Sequence, residues 1–177
     1  GMGSSAAFTV GLLHCLYAIK SEMASKRTLA LEAMEIDQDI VKEIVGCQDF
    51  IAASFGGLNR IDFREHRAHF SVTPVIMDKD QMSFFSRHVM LFYTGIDRYA
   101  SEVAAAQVAK YDGNGDTLRR MAEMVDEGQA LLTTGRLKEF GLLLHEAWLL
   151  KRSLGASNRR VDDMYGAALK AGALGGK

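Results

Sequence analysis

The chain opens Gly1-Met2-Gly3-Ser4-Ser5-Ala6-Ala7-Phe8 and runs without a break into the apolar positions Val10, Leu12, Leu13, Leu16, Tyr17 and Ile19. This is a small-residue loop entering a helix. Glycines let a backbone approach an anion closely, a helix N-terminus presents unpaired N–H groups with partial positive charge, and two adjacent hydroxyls reach a phosphate oxygen or its metal. The same letters also describe a flexible start with an N-cap serine. The segments that follow decide between the two.

Downstream come Glu35-Ile36-Asp37-Gln38-Asp39, then Val45-Gly46-Cys47-Gln48-Asp49-Phe50-Ile51-Ala52-Ala53, then Phe55-Gly56-Gly57-Leu58-Asn59-Arg60-Ile61-Asp62-Phe63. A Gly-x-Gly-Ser-Ser-Ala loop, an acidic helix, a Gly-x-x-Asp turn into a helix and a Gly-Gly turn into a strand, in that order, resemble the GHMP small-molecule kinases. Phe92-Tyr93-Thr94-Gly95-Ile96, His145-Glu146-Ala147-Trp148 and Lys151-Arg152-Ser153-Leu154 are similar to the branch acting on D-glycero-D-manno-heptose 7-phosphate. The likeness covers almost the whole chain.

Length and composition agree with a folded enzyme. With 177 residues and 48% hydrophobic content the chain can bury a substantial core, as one domain or two small ones. The net charge of −1 comes from interspersed positive and negative residues, which argues against a nucleic-acid stripe or a polybasic membrane patch. Cys15 and Cys47 are too few and too differently placed for a disulfide framework, so a reducing cytoplasm is expected. His14, Lys20 and Glu146 interrupt the longest apolar runs, and no membrane span or secretory signal is expected. Residue 1 already lies inside the loop, and residue 177 follows Gly172-Ala173-Leu174-Gly175-Gly176. The chain is therefore expected to be an internal piece of a longer protein. The resemblance implies an N-terminal part before it and a glycine-rich segment after Lys177.

The pattern along the chain predicts an α+β protein. Ser25 or Thr28 caps a second helix whose apolar positions Leu29, Leu31, Ala33, Met34, Ile36, Ile40, Val41 and Ile44 keep helical spacing to Gly46. A short helix follows Asp49. Leu58 to Phe63 and Ala68 to Val72 alternate as two strands, with His66 and His69 near their turn. Pro74 marks a boundary. Val89 to Tyr93 has a buried-strand pattern, followed by a helix through Ala104 to Ala109, and Leu118 to Leu132, Leu137 to Leu154 and Val161 to Leu169 read as helices. The resemblance implies that residues 1–74 are the end of an N-terminal, ATP-binding lobe. Residues 75–177 would then be most of a ferredoxin-like C-terminal lobe, truncated, with nucleotide and substrate meeting between the lobes.

Phosphoryl transfer from ATP needs a cradle for the phosphates, a divalent cation, and a group that orients or deprotonates the attacking hydroxyl. Gly1, Met2, Gly3, Ser4 and Ser5 supply the cradle, and no loop lysine stands at P-loop spacing. The resemblance implies that Ser5 also reaches Mg2+ and that Asp49 is the catalytic aspartate. N-capping of the following helix explains Asp49 equally well. The family commonly has Gln after this aspartate, and Phe50 stands here. The metal carboxylate falls at Asp37, where the family usually carries Glu, with Glu35 as fallback; the plain alternative is a solvated acidic face. A phosphorylated sugar needs donors of its own, and Arg98 and Lys151, with Arg152 and Ser153 beside it, are the candidates.

Several features are discounted. Asp112-Gly113-Asn114-Gly115-Asp116 mimics a calcium loop, but Thr117 stands where the sharp turn needs glycine, so a surface turn with Asp116 as helix cap is expected. The histidines show no metal-ligand spacing, and Trp148 belongs to a core. The resemblance implies an ATP- and Mg2+-dependent kinase acting on the anomeric hydroxyl of heptose 7-phosphate, with the fragment alone inactive or weak. A related galactokinase or fucokinase activity and a non-catalytic sugar or nucleotide sensor are the alternatives. Oligomeric state stays open, a homo-oligomer included.

Overall fold

Small residues on the inner face of one helix let its neighbours approach closely in the first part of the chain. The computed structural model describes residues 3–95, 111 and 113–177. These fall into two units, one ending at Pro74 and one beginning at Val75. In the first unit α1 (Ser4–Ile19) and α2 (Lys26–Glu35) precede a π turn (Ile36–Ile40) and α3 (Gln48–Phe55). Two antiparallel strands follow, β1 (Asn59–Phe63) and β2 (Phe70–Pro74), with Asn59 opposite Pro74 and Phe63 opposite Phe70.

Ser25 is the cap that starts α2, its hydroxyl accepting from the Thr28 N–H at 3.0 Å. Leu29, Ala30, Ala33 and Met34 then bury one face of that helix, with Ala30 and Ala33 fully enclosed. Ala6 and Val10 of α1, Phe50 and Ile51 of α3, and Phe70 of β2 complete the core. Arg27 ties the hairpin to α2 by donating to the Ala68 carbonyl at 2.6 Å and the Phe70 carbonyl at 3.0 Å, its guanidinium 4.2 Å from the Phe70 ring centre.

The expected continuation of α2 to Gly46 does not form. The Val41 N–H bonds to the Ile36 carbonyl at 2.9 Å, an i to i+5 closure, and Lys42 takes a φ of 63° that no α-helix continues through. Ile40, Val41 and Ile44, whose spacing suggested the longer helix, are more than half exposed. With no core to bury them, their periodicity has nothing to stabilise.

The second unit is helical among its described residues: α4 (Lys79–Arg87), α5 (Gly115–Thr133), α6 (Leu137–Ser153) and α7 (Arg159–Lys170). Asp78 and Gln81 form a reciprocal capping box at the start of α4. Asn114, not Asp116, takes the cap position of α5, and Asp116 sits in the first turn, paired with Arg119 at 2.9 Å. Gly128 lets α6 close on α5, since a side chain there would meet the Phe140 ring. Arg120 of α5 donates to Glu146 of α6 at 2.7 and 3.1 Å and to Glu127. Trp148 is buried as expected, against the Tyr165 ring of α7. The Gly175 backbone crosses α6 so closely that any side chain would overlap the Gly141 carbonyl.

Val89 to Tyr93 is a correction to the sequence reading. The segment is neither strand nor buried, its residues 56% to 86% exposed. Strand-like composition supplies no hydrogen-bonding partner, and the described part of this unit holds no other strand. The helix expected through Ala104 to Ala109 lies outside the described residues. Among the described residues no helix is long and apolar enough to cross a membrane, and Cys15 and Cys47 are free thiols.

Two outcomes are expected. Phe50 is 1% exposed, so Phe50→Ala should destabilise the protein by about 3–5 kcal/mol in chemical denaturation; the 71% exposed Phe8, changed to Ala, should cost well under about 1 kcal/mol. Arg120 holds the Glu146 carboxyl below its ordinary value of 4.5. A carboxyl lowered by folding adds stability above its unfolded value, and that stability is lost as pH falls through the folded value. Glu146→Gln should therefore lower the melting temperature by about 1–3 °C near neutral pH, a difference that thermal scans should find closing in acid.

Candidate functional site

Gly3 caps α1 in the left-handed region, φ 69° and ψ 24°, and no side chain caps the helix. The first backbone bond of α1 runs from the Ala7 N–H to the Gly3 carbonyl at 2.9 Å. The amides of Ser4, Ser5 and Ala6 thus stand ahead of the intrahelical ladder, where a helix offers its partial positive charge. Ser4 is the first helical residue rather than the cap, so the plain N-cap reading of the loop is not the one taken. Both Ser4 and Ser5 are exposed. Gly1 and Met2 lie outside the described residues.

Asp49 lies directly against this helix start. A Cβ built on Gly3 would fall 3.3 Å from the Asp49 Cγ and 3.4 Å from its Oδ2. Glycine is favoured at residue 3 by its positive φ, and a side chain there would also press on the carboxylate beside it. Asp49 is not the N-cap of α3. Cys47 holds that position without a side-chain bond, and Asp49 sits in the first helical turn, exposed. Phe50, the departure from the family's Gln, points into the core between the helices.

Of the three acids after Met34, the structure distinguishes each. Thr9 of α1 donates to the Asp37 carboxylate at 3.2 Å. Thr9 is one turn beyond Ser5, so the two hydroxyls share a face of α1 and Asp37 approaches that face. Asp39 is turned the other way and forked by Arg67, at 3.0 Å to Oδ1 and with a second bond to Oδ2. That hydrogen bond holds the Asp39 carboxyl below the ordinary aspartate value. Glu35, the fallback, ends α2 exposed. Glu35 and Asp37 stand two residues apart, a spacing that puts them on different sides of a helix.

The residues fit a nucleotide and its metal in kind. Uncapped amides and a glycine with no room for a side chain suit phosphate oxygens. No group of three or more His, Cys, Asp or Glu able to hold a metal occurs among the described residues. Mg2+ keeps waters and phosphate oxygens and takes only one or two protein ligands. Ser5 and Asp37 are the donors on hand.

Lys151 is half-buried in the last turn of α6. Burial, and then the nearby Lys177 cation, push its ammonium below the ordinary lysine value. Its neighbours are committed elsewhere: Arg152 pairs with Asp162 at 3.2 Å, and Ser153 donates to the Leu150 carbonyl at 2.7 Å. Arg98 lies outside the described residues. An open cleft of about 380 Å³ lined by Asp80, Gln81, Arg87 and Leu132 belongs to the second unit and contains none of the expected site residues. Sequence reading missed Thr9, Gln38 and Arg67. Thr9 carried a faint signal, one helical turn from Ser5; the other two carried none, because only folding brings residue 67 to residues 38 and 39.

Residues 1–57 match the family model described as GHMP kinases N terminal domain. Over 182 aligned positions, 100% of this chain, the sequence is 25% identical to D-glycero-alpha-D-manno-heptose 7-phosphate kinase of Campylobacter jejuni. The chain spans about half, 53%, of that curated relative's length. Gly3, Asp37 and Asp49 all lie within the stretch that matches this family model.

Proposed function

We propose that this chain forms part of an ATP- and Mg2+-dependent sugar kinase of the GHMP type. The observation that carries the reading is the Asp49 carboxylate packed against the left-handed Gly3 cap, beside helix-start amides that no side chain among the described residues caps. Residues 1–74 would be the end of the ATP-binding lobe. Residues 75–177 would supply most of a ferredoxin-like second lobe, a reading whose support is the whole-length likeness to the heptose kinase.

In this reading the backbone of Gly1, Met2 and Gly3 and the amides and hydroxyls of Ser4 and Ser5 bind the ATP phosphates. Fixed N–H dipoles there stabilise charge developing on the transferred group without reorganising. Asp49 orients the acceptor hydroxyl and takes its proton as the new O–P bond forms, while ADP leaves with the electron pair of the broken bond. Bound Mg2+ would neutralise phosphate charge, with Ser5 and Asp37 as its protein donors. The Thr9 hydroxyl keeps the short Asp37 side chain turned toward α1. Lys151 and Arg98 would hold the phosphate of a sugar phosphate. A half-buried ammonium loses hydration on folding and regains a partner when an anion arrives.

The acceptor we propose is the anomeric hydroxyl of D-glycero-D-manno-heptose 7-phosphate, supported by the relative's name and by the wording around Phe92 and His145. The experiment is ADP release by the full-length protein with Mg2+ against heptose 7-phosphate, heptose, galactose and fucose. Heptose 7-phosphate should turn over best, and Asp49→Asn should lose on the order of a hundredfold or more in kcat. Turnover of galactose or fucose alone would move the assignment to the related sugar kinases; ATP binding with no sugar turned over would favour a sensor. Asp37→Asn should raise the Mg2+ concentration for half-maximal rate about tenfold, and an unchanged metal requirement would return Asp37 to a solvated acid.

A further inference from the structure

Asp37 and Asp49 are carried by different elements, and the chain between them is poorly anchored by burial. Residues 40–44 are exposed, Lys42 sits at positive φ, and Val41 and Ile44 bury little of their apolar surface. Such a segment opens easily unless something else holds it. Gln38 supplies the hold. Its Nε2 donates to the Val45 carbonyl at 2.8 Å and lies 3.5 Å from the Cys47 Sγ, the residue that caps α3 two positions before Asp49. Its Oε1 accepts from the Arg67 guanidinium at 2.8 Å.

Arg67 in turn is anchored from both sides. Its fork grips Asp39 within the same π turn, and its own position in the hairpin connection is fixed by the two bonds from Arg27 to the Ala68 and Phe70 carbonyls. A ring of contacts therefore closes from α2 through the hairpin and the π turn to the start of α3. A planar guanidinium that engages an amide oxygen and a carboxylate together restrains orientation as well as distance.

We propose that Gln38 and Arg67 are positioning residues that fix the Asp37 and Asp49 carboxylates relative to each other, one side-chain amide joining the two acid-bearing segments. The inference rests on the kinase reading for what those two acids do, and on the contacts above for how they are held. Neither residue touches the reacting groups. Their effect on rate passes through the placement of Asp37 and Asp49, where small displacements are costly.

The test uses the full-length protein with Gln38→Leu, Arg67→Ala, the double variant, and Arg64→Ala, an exposed arginine of the same hairpin, as control. Amide hydrogen exchange is measured without substrate. Gln38→Leu should speed exchange across residues 41–49 while the buried turns of α1 and α2 stay protected. In the kinase assay it should raise the Mg2+ half-saturation about tenfold and lower kcat by about the same factor, with the nucleotide KM nearly unchanged, because the α1 cradle is untouched. The double variant should be no worse than Gln38→Leu alone, as expected for one connected network. Arg64→Ala should change none of these.

Unchanged exchange over residues 41–49 overturns the bridge whatever the assay shows. Faster exchange with unaltered Mg2+ half-saturation and kcat makes the bridge merely structural and overturns the positioning role. A wild-type protein that phosphorylates none of the four sugars refutes the kinase reading, and the positioning role falls with it, while the exchange result still reports separately on the bridge.

Discussion

The approach of the Asp49 carboxylate to the backbone of Gly3 is the constraint around which the first unit is arranged. Bringing a carboxylate within van der Waals distance of a helix start requires a residue with no side chain and a positive φ, which Gly3 supplies. It also requires the starts of two helices to converge, which α2 permits by presenting Ala30 and Ala33 where larger residues would hold the helices apart. The negative charge of Asp49 then faces the positive end of α1, an interaction that is favourable before any ligand arrives. The same arrangement that is stable in the empty protein is the one that would place a base beside a bound phosphate.

The acidic segment shows how residues of similar type part ways. Asp37 is two residues from both Glu35 and Asp39, a spacing that does not share a helix face. Asp37 accepts from the hydroxyl of Thr9, and Asp39 from Arg67. One carboxylate is neutralised by a guanidinium at the surface, and the other is held by a neutral hydroxyl that leaves its charge available. An available charge is what a metal site needs.

Unit two depends on different physics. Its helices begin and end where capping residues and glycines put them, and they are joined by the Arg120 fork, the close passage at Gly128, and the stacked His145, Tyr165 and Trp148 side chains. Tyr165 and His145 share a hydrogen bond at 2.8 Å, while the buried Trp148 Nε1 has no hydrogen-bond partner among the described residues. Burial, and then the nearby Lys177 cation, lowers the Lys151 ammonium below the usual lysine value.

What the sequence determined by itself was whatever depends on near neighbours. Ser25 starts α2 because a serine hydroxyl reaches the N–H three residues on, and Gly135 and the 155–158 loop separate the late helices because those residues end helices locally. The alternation at Ile61 and Val72 produced paired strands, and the order of glycines, serines and acids pointed to the GHMP kinases, whose N-terminal domain model matches residues 1–57. Tertiary structure alone decided the rest. The apolar spacing of Ile40, Val41 and Ile44 and the strand-like run at Val89 carry the local preferences of helix and strand, yet neither forms, because periodicity stabilises an element only when a partner surface covers it. The bond from Thr9 to Asp37, the closeness of Gly3 to Asp49, and the bridge from Arg67 through Gln38 all join residues 28 to 46 positions apart. Separations of that size are invisible to spacing rules and are set by how the helices pack.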